Sequence, residues 1–216
     1  MKLQWQVNLD GLIYGGFGSA WENTLVSSII QNAGGKGTFK TVTLGTSAYE
    51  ALANKSVDFT LEILTWEGVQ AELSGAKLKE FQYSDFGVPE QYTTVIVSSD
   101  TYLKSNPDTA RAFLAAVQKG YTFAADNPSD AADILIAANP DVLTDKALVH
   151  ASSKLLSEEH YLRSADGVIG SFDQNKVAAV GGYLFKAGIL VDQNGKPLTT
   201  EPDFSTYVTN DYLPVK

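Results

Sequence analysis

Gly15-Gly16-Phe17-Gly18-Ser19 is the stretch whose residue types best suit ligand chemistry. It feeds a helix start, where the first backbone N–H groups have no partner inside the helix and can meet anions or polar ligand atoms. Glycines there let another group approach the backbone closely. The stretch is not a dinucleotide fingerprint, because Trp21 stands where the third glycine belongs, and it is not a Walker loop, lacking Gly-Lys-Ser/Thr. A tight strand-to-helix turn with an ordinary cap uses the same residues.

Aromatic rings offer a second kind of chemistry. Trp5, Trp21 and Trp66 accompany Tyr14, Tyr49 and Tyr92. Two of the tryptophans fall where strands end or turn, near the loops that carry ligand contacts in open α/β folds. Their faces suit a flat heterocycle, although for Trp21 core packing is the expected fate. Glu62 and Glu67 flank the Thr65-Trp66 corner; a carboxylate there accepts hydrogen bonds from a ligand amine where it is not simply solvated. His150 and His160 lie on helical ground without the pattern of a triad or of paired metal ligands. Both read as surface histidines, and no catalytic residue, metal or cofactor is expected.

The charge balance narrows the partners. Against 16 Lys+Arg stand 25 Asp+Glu, a net charge of -9, with a pI near 4.6. An acidic surface argues against nucleic acid or anionic membrane. With no cysteine, disulfides, thiolate nucleophiles and Cys-ligated zinc are excluded. The apolar share of 44% and charged share of 19% are those of an ordinary globule, and no apolar run approaches the ~18 residues of a membrane span. Met1-Lys2-Leu3-Gln4-Trp5 enters a strand-like pattern at once and does not read as a signal peptide.

The elements that must position these residues follow from periodicity. Leu3 to Val7 alternates like a half-buried strand. A helix is predicted over about Ala20 to Ala33, with Ser19 and Glu22 at capping-box spacing and Gly34-Gly35 as its stop. Phe39 to Leu44 reads as a strand, and Ser47 with Glu50 opens a short helix ending near Asn54. Val57, Phe59, Leu61 and Ile63 form one face of the next strand. Trp66 to Leu73 looks helical, and Tyr92 to Val97 reads as a strand buried on both faces. Strands alternating with helices imply parallel βα units.

Beyond Ser98 the pattern turns helical. Asn106-Pro107 and Asn127-Pro128 place proline at the favoured first helical position. The first of these helices carries the stripe Ala110, Phe113, Leu114, Val117, Tyr121 and Ala124. Further helices are predicted at Thr144 to Leu156, Asp173 to Ala187 and near Phe204 to Tyr212.

Several segments in order resemble the ABC-importer substrate-binding family that includes the thiamine-pyrimidine and riboflavin binders. They are Leu3-Gln4-Trp5-Gln6-Val7-Asn8, then Leu9 through Ser19, then Val57-Asp58-Phe59 and Trp66-Glu67-Gly68-Val69-Gln70-Ala71-Glu72-Leu73. Asn106-Pro107, Phe113-Leu114-Ala115-Ala116, Gly120 to Ala124 and Asn127-Pro128 through Leu135 follow. The resemblance implies an α/β, type II periplasmic-binding-protein fold whose two lobes close on a small heteroaromatic ligand. The loaded form would be handed to the membrane permease, outside the cytoplasm, with no chemistry on the ligand. On this basis the candidate contacts are Trp5, Asn8, Tyr14, Gly16 and Phe17, together with Gly18, Ser19, Glu22, Trp66 and Glu67.

The departures matter too. In the family a long run of βα units separates the opening strand from the second lobe, whereas here Asn8 runs straight into Leu9-Asp10-Gly11. The expected division is a complete lobe at 9–91 and a shortened lobe made of 1–8 and 92–216. That shortening implies self-association, by a dimer that exchanges its N-terminal strand. Leu64-Thr65 replaces an aromatic and a glycine before the tryptophan. A competing enzyme class, the pyrimidine synthases that share this fold, uses cysteine and histidine and is disfavoured by the absence of cysteine. A third class is a folding or assembly unit that has lost binding.

Overall fold

A computed structural model describes residues 9–164 and 167–214. Its regular elements, in chain order, are β1 (Ile13–Gly16), α1 (Ala20–Asn32), β2 (Lys40–Thr43), α2 (Ala48–Ala53), β3 (Phe59–Thr60), α3 (Val69–Leu73), α4 (Asp100–Ser105), α5 (Pro107–Asp126), α6 (Pro128–Ala138), α7 (Lys146–Glu158) and α8 (Gln174–Lys186). The expected strand at 3–7 lies outside the described residues. The chain is an α/β protein with a small parallel sheet and many helices.

Two compact units divide it. The first takes the described part of Met1–Glu62 with Lys79–Tyr92 and Gln174–Ser205; the second takes Ile63–Leu78 and the described parts of Thr93–Asp173 and Thr206–Lys216. In this division 63–78 goes with the second unit and 174–205 with the first.

In the first unit the sheet order is β2-β1-β3, all parallel, with Tyr14 opposite Thr41 on one side and Phe59 on the other. Parallel neighbours need crossovers, and α1 and α2 supply them, as the alternating pattern requires. Helix α1 carries two adjoining apolar stripes. Val26 and Ile30 pack with Tyr14, Leu9, Phe39, Phe59 and Leu61, while Leu25 and Ile29 pack with Val88, Tyr83, Phe86 and Tyr183. Each such side chain contributes about 1.5–3 kcal/mol on burial. The Tyr14 ring meets Phe39 edge-on at 5.9 Å and Phe59 at 5.3 Å, geometries that aromatic quadrupoles favour. Asp10 ties down the turn before β2, accepting from the Lys36 N–H at 2.6 Å and the Thr38 N–H at 2.8 Å. Those two donors hold its carboxyl below the usual carboxylate range.

The second unit is helical. Its buried cluster is Ala132, Ile136 and Val149, with Trp66 and Leu143 packed against it. Asp145 caps α7 by accepting from the Leu148 N–H at 3.0 Å, and Ser157 Oγ donates to the Ala125 carbonyl at 2.6 Å. The Asn-Pro starts of α5 and α6 fall where expected. The α5 stripe, however, is only partly covered: Ala110 is buried, whereas Phe113 is 54% and Tyr121 45% exposed.

Other expectations also fail. Residues 92–97 form no strand. Val95 and Ile96 are about half exposed and Val97 is 84% exposed, and no described strand pairs with them. β-Formers make a strand only where a neighbour supplies the ladder. The helix expected near 204–212 is reduced to a single tight turn, Phe204–Tyr207, and α4 had no counterpart in the reading. The strand over 57–63 shrinks to β3, with Ile63 62% exposed. Trp21, assigned to the core, is 37% exposed.

Candidate functional site

The glycine loop is shaped by what lies under it. Residues i and i+2 of a strand share a face, so the Tyr14 ring runs beneath Gly16. A Cβ on Gly16 would lie 2.5–2.9 Å from the Tyr14 ring and hydroxyl, so no other residue fits there without displacing the ring. Gly18 adopts φ +84, and a Cβ there would also lie 2.8 Å from Thr43 Cγ2. The chain therefore turns sharply between β1 and α1, delivering its N–H groups inward.

Those N–H groups are already used. Glu22, only 3% exposed, accepts from Phe17 at 3.1 and 3.2 Å, from Gly18 at 2.9 Å and from Ser19 at 3.2 Å. Burying a carboxylate is costly, and three charge-assisted hydrogen bonds beside a helix N-terminus offset that cost. This corrects the expectation that Gly16 to Ser19 offers free donors to a ligand: the chain's own carboxylate sits on the donors of Phe17, Gly18 and Ser19. The capping-box spacing found in the sequence is what places Glu22 there. The buried Tyr14 hydroxyl, by contrast, has no hydrogen-bond partner among the described residues.

Tyr14 is fully buried. Burial raises its phenol far above the ordinary tyrosine value, and the Glu22 charge adds to the effect, followed by Tyr83 and Tyr49. Tyr83 is pushed up to about 12, again by burial first and then by Glu62 and Glu22. Tyr14, Tyr83, Glu22 and Glu62 thus form one electrostatically coupled group within the first unit.

Trp66 and Glu67 belong to the second unit. Trp66 packs against the Ala132, Ile136 and Val149 cluster. It sits in a π-helical turn, Leu64–Gly68, which Glu67 closes by accepting from the Ile63 N–H at 3.0 Å. Both side chains are half-buried. Trp5 and Asn8 lie outside the described residues. The His150 Nε2 lies 3.2 Å from Asp133, and both side chains reach solvent. Near that pair Asp133, Ile136, Pro140, Leu143 and Lys146 line a shallow open depression that contains none of the expected contacts. Among the described residues no group of three or more His, Cys, Asp or Glu is arranged to hold a metal, and no helix is long and apolar enough to cross a membrane.

Residues 7–131 match the family described as NMT1/THI5 like. That is more than half of the chain. The chain belongs to the NMT1/THI5 like family. Over 62 residues it is 32% identical to a protein named formylaminopyrimidine-binding protein from Halalkalibacterium halodurans, which covers 29% of this chain and 19% of that relative. The chain thus aligns with about a fifth of the length of the curated relative it matches. That relative's name describes a binding protein, not an enzyme.

For this NMT1/THI5-like chain the structure brings together Tyr14, Gly16, Phe17, Gly18, Ser19 and Glu22 and leaves Trp66 and Glu67 to the other unit. It adds Tyr83, which sequence reasoning missed. Gln82-Tyr83-Ser84-Asp85 carries neither helical nor strand periodicity, so no local signal marks it. Only the long-range packing of Tyr83 against α1 reveals it.

Proposed function

We propose that this chain is an extracytoplasmic solute-binding component of an ABC importer, taking a small heteroaromatic ligand such as a thiamine pyrimidine precursor or a riboflavin-like compound. On this proposal the fold is of the type II periplasmic-binding kind, with 9–91 as the complete lobe and 1–8 with 92–216 as one shortened by an internal deletion. It delivers its ligand to membrane permease subunits and performs no chemistry on it. The observation that carries the proposal is the alignment with a protein named for binding formylaminopyrimidine, within a family match spanning residues 7–131. Ligand contacts are proposed for Trp5, Asn8, Tyr14, Trp66 and Glu67. Titrating the chain with an aminopyrimidine is expected to quench tryptophan fluorescence saturably, and Trp66→Ala to abolish the signal. No saturable binding in the wild type sinks the proposal, and unchanged affinity in Trp66→Ala removes Trp66 from the site.

A second reading is an assembly unit that no longer binds and instead forms a homodimer, by exchange of its N-terminal strand. The exposed run Val95 to Val97 favours it, because unpaired apolar backbone invites a strand from another chain. Equilibrium sedimentation decides the matter: a clean monomer of 23.2 kDa removes this reading.

A further inference from the structure

The glycine loop has the features of an anion site, yet an anion from the chain itself fills it. Glu22 is 3% exposed and engages the Phe17, Gly18 and Ser19 N–H groups at 2.9–3.2 Å. These are the donors that a phosphate or sulfonate would need at a helix N-terminus. A second observation points to a ligand beside the carboxylate. The Tyr14 side chain is 0% exposed, its hydroxyl has no partner among the described residues, and that hydroxyl lies 2.9 Å from where a Gly16 Cβ would be, under the loop. The hydrogen-bonding group left over is thus a neutral hydroxyl beside the Glu22 carboxylate.

We infer that Glu22 is a specificity-determining residue, an internal anion that fills the loop so that it rejects phosphate- and sulfonate-bearing compounds and accepts only uncharged or cationic hydrogen-bonding ligands. This rests on the proposed reading of the chain as a binder of small heteroaromatics, and it narrows that class to unphosphorylated compounds. The charge argument is direct: at such short range an incoming anion meets like charge in a site of low effective dielectric, and its hydrogen-bond donors are already taken.

The test uses inorganic phosphate as the probe, read by phosphorus NMR line width and by thermal melting of the whole chain. Wild type is expected to show no saturable binding. Glu22→Ala frees three donors and removes the charge, and is expected to bind phosphate saturably, at least about tenfold more tightly than the detection limit that wild type fails to reach, the scale of one charge-assisted hydrogen bond, with a rise in melting temperature. Should Glu22→Ala fail to fold, Glu22→Ser removes the charge, is too short to cover the three donors, and is expected to gain phosphate binding in the same direction. Saturable phosphate binding by the wild type overturns the inference whether or not a variant folds, and so does a folded variant that gains none. Failure of aminopyrimidine binding in the wild type would instead sink the parent reading and leave the phosphate result standing.

Discussion

The two units differ in how completely they cover their apolar residues. In the α/β unit, Tyr14 and Ile30 are fully buried and α1 buries two stripes against separate partners. In the helical unit, Phe113, Ile134, Leu135 and Val142 are each at least half exposed, as are Ile96 and Val97. The helices there persist because a helix closes its own hydrogen bonds. The run at 92–97 does not form a strand, because its ladder must come from a neighbour. Helices therefore form with partial cover, whereas a strand does not form without a paired neighbour.

The largest expected effect strikes the better-covered unit. Tyr14→Ala removes a ring from the centre of the sheet and is expected to cost about 3–5 kcal/mol, the range for truncating a buried aromatic. Phe113→Ala, in the poorly covered unit, is expected to stay within about 0.5 kcal/mol, as exposed positions do. Urea unfolding measures both, and equal losses would break the contrast.

A smaller effect concerns pH. Tyr83 holds its proton to about 12 in the folded α/β unit, against 10.0 for an ordinary tyrosine. The unfolded chain loses that proton first, so the stability contributed is complete below pH 10 and is lost as pH rises toward 12. Melting temperatures across that window should fall in wild type and fall less steeply in Tyr83→Phe. Parallel curves would remove Tyr83 as the cause.

Smallest in stability is Val97→Lys, expected to change unfolding free energy by less than about 0.5 kcal/mol. Its readout is instead the sedimentation equilibrium. A charge on that exposed run should shift any dimer toward monomer, and an unaltered dimer would show that Val95 to Val97 is not its interface.

What could be read from the sequence follows the same divide. Local signals carried the helices: the two Asn-Pro starts, Gly34-Gly35 after α1, and the spacing of Ser19 to Glu22. The parallel βα order of the small sheet was equally visible. What escaped depends on distant partners. Residues 92–97 have ideal strand composition but no described strand to pair with, and Tyr83 has no pattern of its own. Glu22 was recognised as a helix cap, but that its carboxylate fills the loop becomes visible only once Gly18 turns the backbone inward.

The α/β unit is discontinuous in the chain, and this sets an order in time. Tyr183 on α8 packs against Leu25, Ile29 and Val88, so that cluster stays open until synthesis has passed through the whole helical stretch. Helices α6 and α7 are near neighbours in sequence and can pair as soon as both exist, at small loop-closure cost. On the ribosome that helix pair can therefore form before the cluster around Tyr183 closes. The unit holding Glu22 and Tyr14 reaches its final packing only when nearly every residue has been made.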